Sequence, residues 1–114
     1  MGKKDYIKNA GYCIVSNNVL NGKGFLKWLV REEPVNKEDN GWRIFSDIDD
    51  DIFINNSSNL SLRDFNDIAD IEPAIIAIYR LPVGSDIQLI KEKNKKYFWD
   101  NITDKKIDME SLYI

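Results

Sequence analysis

Residues 31–46 read REEPVNKEDNGWRIFS, and the rest of the chain is organised around this stretch. Pro34 stops regular structure and restricts the residue before it to an extended conformation. After a polar loop, residues 42–46 predict a strand that places Trp42 and Ile44 on one face and Arg43 and Phe45 on the other. Two arginines, a tryptophan and several carboxylates are therefore predicted to meet around one tight turn.

Working outward from this stretch, short apolar runs rich in β-branched and aromatic residues indicate further strands. They are predicted at residues 11–16, 25–31, 86–92 and 96–99, with residues 60–64 as an additional short strand. A short helix also fits residues 25–31. The last two strands are predicted to form a hairpin, with Ile87 and Leu89 on its inward face.

A first helix is predicted directly after the central stretch. Ser46 and Asp49 fit a capping box, in which a serine is followed three residues later by an acid. The helix is expected to run to about Asn55, and Ile48 and Ile52, one turn apart, are expected to share a buried face.

A second helix is predicted to begin after Asp64 as its cap. It carries apolar residues at helical spacing: Phe65, Ile68, Ala69 and Ile71. Residues 74–81 are almost wholly apolar, so periodicity alone leaves helix and strand open. Pro73 favours the helix, because proline suits a first helical turn.

These elements predict one α+β domain, with a small, mostly antiparallel sheet of about five strands and two or three short helices. Residues 1–10 are predicted to be a flexible lead-in, residues 11–100 the domain, and residues 101–114 a polar tail. Apolar residues of that tail are predicted to dock on the body as a final turn: Met109, Leu112, Tyr113 and Ile114.

Composition limits where the protein works. Cys13 is the single cysteine, so no intramolecular disulfide is possible, and its apolar strand predicts a buried side chain instead of a nucleophile. The first residues do not resemble a signal peptide, and no stretch approaches the roughly 20 apolar residues of a membrane span. A cytoplasmic location is predicted, with no membrane partner.

Charge is unevenly distributed along the chain. Residues 32–72 contain 12 acidic and 3 basic residues, a net charge of −9, whereas the whole chain has a net charge of −3. This segregation predicts an acidic face that favours a basic partner. The alternative is a well-solvated acidic loop region without a partner.

Catalysis, metal binding and nucleic-acid binding all lack support. The chain has no histidine, which removes the commonest general base and metal ligand. Asp47, Asp49 and Asp51 match the first ligand positions of a calcium loop, but Ile52 and Ser58 occupy positions that need glycine and glutamate. The sequence predicts no enzyme activity, no cofactor and no metal. The basic residues near residues 93–96 lack a stacking platform, so no nucleic-acid partner is predicted.

Four motifs carry a resemblance to a known family. They are residues 31–34, the block at residues 39–46, the segment at residues 66–73, and Pro82-x-Gly84-Ser85. Together they resemble the bacterial immunity-protein family numbered thirty-three, formerly a domain of unknown function, over roughly residues 13–99. The resemblance implies an α+β protein of a polymorphic-toxin system that binds and neutralises a cognate toxin domain, often a basic nuclease, without catalysis.

Partner contacts are predicted within and just after the central stretch. The predicted partner-binding residues are Arg31, Glu32, Glu33, Asp39, Trp42, Arg43, Asp47, Asp49 and Asp50. Aromatic and arginine side chains are typical binding hot spots. The alternative for Trp42 is a core position, and for Arg31 an ion pair with Asp39 or Glu33. A second functional hypothesis is a regulatory module that binds a peptide or small ligand and has no toxin partner. The oligomeric state is left open.

Overall fold

The computed structural model describes residues 5–108, which form an α+β domain built on one sheet of seven strands. The strands are β1 (Tyr12–Ser16), β2 (Leu26–Arg31), β3 (Asp39–Ser46), β4 (Leu60–Asp64), β5 (Asp86–Glu92), β6 (Lys95–Asp100) and β7 (Lys105–Lys106). The helices are α1 (Asn17–Leu20), α2 (Asp51–Ile54), α3 (Phe65–Ile71) and two 3-10 helices, Ser57–Asn59 and Pro73–Ile78.

The strands lie in the order β4-β1-β3-β2-β5-β6-β7. Every neighbouring pair is antiparallel except β1 and β3, which are parallel. The α+β class and the mostly antiparallel sheet were therefore predicted correctly.

The predicted number of strands was too small, because the sheet has seven strands instead of about five. The additional strands, β4 and β7, lie at the two edges of the sheet. β4 had been only an optional strand, and β7 consists of two exposed lysines paired with Trp99 and Asp100. Such an edge strand has no apolar periodicity, because both of its side chains are exposed and neither enters the core.

One face of the sheet is covered. Buried side chains from alternate strand positions, among them Val15, Leu29, Ile44 and Phe98, form the core together with residues of α3 and the 3-10 helix Pro73–Ile78. Ile87 and Leu89 also face this core, as predicted for the hairpin. We call this side the covered face.

The opposite side, the uncovered face, carries the alternate residues. One cross-strand row runs through directly paired positions: Leu62, Ile14, Arg43, Val30 and Asp86. A second row runs likewise: Phe45, Trp28, Gln88, Trp99 and Lys106. The predicted division of β3, with Trp42 and Ile44 on one face and Arg43 and Phe45 on the other, is confirmed.

The helix predicted from Ser46 begins later than expected. Asp50 is its N-cap, and α2 spans only Asp51–Ile54. One half of the capping box forms nevertheless, because Asp49 accepts from the Ser46 amide at 2.7 Å, whereas Ser46 Oγ accepts from the Ile48 amide, two residues on, at 3.3 Å. They close a turn instead of a helix. The prediction that Ile48 and Ile52 share a buried face was wrong, since both side chains are exposed.

The later helical segments follow the prediction more closely. Asp64 caps α3 through the Asn66 amide at 2.9 Å. The apolar run after Pro73 is a 3-10 helix, which resolves the open choice between helix and strand. Among residues 5–108, none of the helices has the length and apolar character needed to cross a membrane.

Both ends of the described chain contact the body. Asn66 binds both the amide and the carbonyl of Ile7, at 3.0 and 2.9 Å, and Ala10 is buried. At the other end, Ile107 packs against the core and its amide donates to Phe98 at 2.9 Å. The predicted docking of Met109, Leu112, Tyr113 and Ile114 lies outside the described residues.

Candidate partner-binding site

The site begins where the loop after β2 returns into β3. The Glu32 amide donates to the Gly41 carbonyl at 2.8 Å, so the two backbones run close together. Gly41 has a φ of +89°, and a Cβ at this position would collide with the Glu32 carbonyl oxygen. Glycine therefore meets both the steric and the conformational requirement of this turn.

On the uncovered face, Arg43 and Asp39 form a bidentate ion pair. Arg43 Nη1 and Nη2 bind Asp39 Oδ1 and Oδ2, each at 2.9 Å, and both residues are buried. Asp39 also accepts from the amides of Val35 and Gly41, both at 2.9 Å. The Arg43 hydrogen bonds hold the pKa of Asp39 well below its usual range, and the same contact raises the pKa of Arg43.

Glu32 completes this cluster from the solvent side. Arg43 Nε binds Glu32 Oε1 at 2.9 Å, and the Glu32 side chain is 61% exposed where the Arg43 side chain is 8% exposed. Glu32 is therefore accessible from solvent, whereas Arg43 and Asp39 lie beneath it.

Arg31 lies on the covered face and binds carbonyl oxygens. Its Nε donates to Asn40 at 2.9 Å, and its Nη1 donates to Leu81 at 2.7 Å and Tyr79 at 3.2 Å. The guanidinium also lies 5.6 Å from the ring centroid of Trp42. Arg31 thus fastens the segment after the 3-10 helix to the sheet, and Asp39 pairs with Arg43 instead.

Trp42 occupies the core position that the sequence had left as an alternative. Its side chain is fully buried, and its Nε1 donates to the Tyr79 carbonyl at 3.1 Å. A buried tryptophan with its N–H satisfied contributes packing and no contact surface.

The acidic residues at the other end of β3 shape local turns. Asp47 accepts from the Phe25 amide at 2.8 Å, and Asp50 from the Phe53 amide at 2.8 Å. Asp49 binds the Asn18 side chain at 2.7 Å. Burial alone would raise the pKa of Asp49, but hydrogen bonds from neighbouring serine and asparagine groups lower it. Within residues 5–108, no group of three or more potential ligands could hold a metal ion.

The predicted partner-binding residues separate into two groups along β3 and differ in how deeply they are buried. The loop around Glu32 and Glu33 and the turn around Asp47 and Asp50 lie at opposite ends of the eight-residue strand β3, roughly 23 Å apart. The exposed members are Glu32, Glu33, Asp47 and Asp50, the intermediate members are Arg31 and Asp49, and the buried members are Asp39, Trp42 and Arg43.

Sequence reasoning overlooked the apolar part of the uncovered face. Tyr12, Ile14, Val35 and Leu62 line a groove of about 240 Å³ beside the buried ion pair. Side chains alternate along β1 from Tyr12 to Val15, and this alternation could have indicated which of them face away from the core. The register that places Leu62 beside Ile14 had no signature in the sequence.

Comparison with known proteins gives one match. The family model described as the immunity protein Imm33 domain matches residues 13–100. This match confirms the resemblance carried by the four sequence motifs. Neither the curated proteins nor the solved structures include a match to the chain.

Proposed function

Because this chain belongs to the Imm33 family of immunity proteins, we propose that it protects a bacterial cell by binding a cognate toxin domain and blocking its activity. The match over residues 13–100 is the observation that carries this proposal, since it includes every strand from β2 to β6 and nearly all of β1. The proposed mechanism is stoichiometric binding in the cytoplasm, with no chemical step.

The surface charge of the loop after β2 supports a basic partner. Glu32, Glu33 and Glu38 are exposed on this loop, and Lys37 is the one basic residue of residues 32–38. A carboxylate surface accelerates association with a positively charged protein through electrostatic steering. We therefore propose a basic toxin, such as a nuclease, whose own substrate is negatively charged.

The second candidate function is a module that binds a peptide or small ligand. It is favoured by a groove of about 430 Å³ at the ends of β5 and β6, lined in part by Pro82, Val83 and Ile107. Grooves of this volume accommodate small ligands. A toxin partner and a small ligand make opposite predictions for a growth assay.

The growth assay uses the toxin domain encoded beside this gene in its native host. Expression of that domain alone should stop growth, and co-expression of this protein should restore it. The purified proteins are also mixed, so that binding is measured independently of growth. A stable one-to-one complex is expected, and absence of both rescue and complex would overturn the proposal.

A matched pair of charge reversals tests the role of the acidic loop. Glu33→Lys places a positive charge on the loop after β2, whereas Glu92→Lys makes the same change at the tip of the β5–β6 hairpin. The first variant should slow association with the toxin by about tenfold, and the second should leave it close to the wild-type rate. Equal rates for the two variants would remove this loop from the proposed interface.

A further inference from the structure

The uncovered face concentrates exposed apolar side chains at one corner. Tyr12, Val35 and Leu62 are three of the large hydrophobic residues that remain exposed, and all three line the groove of about 240 Å³. Solitary exposed hydrophobic residues need no explanation, but neighbouring ones around a concave surface mark a site of interaction.

The strand register shows how this corner is built. Leu62 of β4 is paired with Ile14 of β1, and Tyr12 lies two residues earlier on the same face. Arg63 is paired with Cys13, whose side chain points into the core, so strand alternation directs Arg63 away from the groove. The walls of the groove are therefore apolar.

The loop side of the groove, which we call its rim, is acidic. Among residues 5–108, Asn36, Glu38 and Asp39 complete the lining there, and no lysine or arginine contributes to the groove. Arg43 already engages both carboxylate oxygens of Asp39. Glu38 is exposed on the same loop as Glu32 and Glu33, so it is the lining carboxylate that a partner can reach.

We propose that this groove is the docking site for the toxin and that it receives a lysine or arginine side chain from the toxin surface. This inference rests on the proposed function and specifies where the partner binds. The aliphatic part of such a side chain fits between Tyr12 and Leu62, because long basic side chains cover apolar surface with their stems. Its charged end then meets Glu38, and the Tyr12 ring adds a cation–π contact.

Charge complementarity distinguishes this occupant from the alternatives. The carboxylates at the rim repel the phosphates of a nucleic acid. A second copy of this chain would bring the same acidic loop to the interface and place like charges near one another. A basic protein surface with an apolar centre satisfies both the walls and the rim.

Two substitutions of the same kind test the location. Leu62→Lys places a positive charge in the groove, and Ile102→Lys makes the same change in the other groove, of about 430 Å³, which Ile102 lines; the two residues are 58% and 67% exposed. The probe is a purified, catalytically inactive variant of the toxin domain used in the growth assay, and the measurement is its dissociation constant. Leu62→Lys should weaken binding by at least about tenfold, and Ile102→Lys by less than about twofold.

A third substitution tests the charge at the rim. Glu38→Gln should slow association and reduce the dependence of affinity on salt concentration, because the removed charge is exposed. Its effect on the dissociation rate should be smaller than that of Leu62→Lys.

The outcomes separate this inference from the function on which it rests. If wild type binds the toxin but Leu62→Lys binds equally well, or loses no more than Ile102→Lys, the toxin docks elsewhere and the proposed function stands. If wild type fails to bind, this inference falls, and if it also fails to rescue growth, the proposed function falls with it. Sedimentation without toxin examines the competing occupant: a wild-type dimer that Leu62→Lys converts to a monomer would assign the groove to a second copy and overturn the inference.

Discussion

The two faces of the sheet use adjacent residues of β3 for opposite purposes. Trp42 turns to the covered face and is buried beneath the 3-10 helix segment, with Tyr79 as its hydrogen-bond partner. Arg43 turns to the uncovered face, where Asp39 and Glu32 neutralise it without a covering helix. One face is closed by packing and the other by an ion pair, so stability and binding can reside on different sides of the same strand.

The largest expected effect comes from the covered face. Trp42→Ala removes a fully buried side chain and its hydrogen bond. It should lower the free energy of unfolding by about 3–5 kcal/mol in urea titrations. Trp28→Ala, on the uncovered face, should cost less than half as much because that ring is only partly buried. Similar losses for both tryptophans would mean that the two faces contribute equally to stability.

The next largest expected loss of stability comes from the ion pair on the uncovered face. Asp39→Ala leaves Arg43 buried with Glu32 as its remaining carboxylate, and the expected loss is about 3 kcal/mol. Glu32→Gln removes the exposed partner and should cost less than about 1 kcal/mol. Chemical denaturation at pH 7 measures both values. A larger loss for Glu32→Gln than for Asp39→Ala would contradict the assignment of the buried and exposed members.

Lowering the pH should reduce the free energy of unfolding gradually, through one carboxylate on each face of the sheet. On the uncovered face, hydrogen bonding to Arg43 lowers the pKa of Asp39. On the covered face, burial alone would raise the pKa of Glu72, but hydrogen bonds from Lys91 and Lys96 outweigh burial and lower it. Both carboxylates therefore bind protons more tightly in the unfolded chain. Their stabilisation is fully present above the unfolded pKa, near 4, and is lost as the pH falls below it.

Neutral variants identify the groups behind that loss. In Asp39→Asn and in Glu72→Gln, the difference in unfolding free energy between pH 7 and pH 3 should be smaller than in wild type, because one linked proton is removed in each case. Urea titrations at a series of pH values provide the measurement. A difference as large as that of wild type in both variants would assign the acid sensitivity to other residues.

The smallest expected effect is at the corner of the uncovered face. Leu62→Ser should change the free energy of unfolding by no more than about 0.5 kcal/mol, since the side chain is largely exposed. Thermal and urea unfolding should both give values close to wild type. A marked destabilisation would show that this corner belongs to the core of the domain and not to a free surface.

Sequence alone predicted the covered face well. The alternation in β3 and β5 and the spacing of Phe65, Ile68 and Ala69 identified core residues, because burial against one side imposes a period on the chain, and the apolar run of β1 identified Cys13. The cap at Asp64 was also found, since a capping side chain acts within a few residues of its own position.

The uncovered face was harder to predict because its contacts depend on register. Arg31 and Arg43 look equivalent in the sequence, yet strand alternation sends them to opposite faces, one toward carbonyl oxygens and the other toward carboxylates. The corner formed by Tyr12 and Leu62 requires residues about 50 positions apart to pair. The acidic residues at positions 47–51 suggested a surface for binding, and most of their contacts instead shape turns.

The position of β1 has a consequence for synthesis. Both of its neighbours, β3 and β4, follow it in the chain, and β4 ends at Asp64. During synthesis, β1 must therefore wait for about 50 further residues to emerge before both of its edges are paired. During folding, the β1 amides should become protected from hydrogen exchange late. Truncated nascent chains that end before residue 60 should expose this strand to proteases.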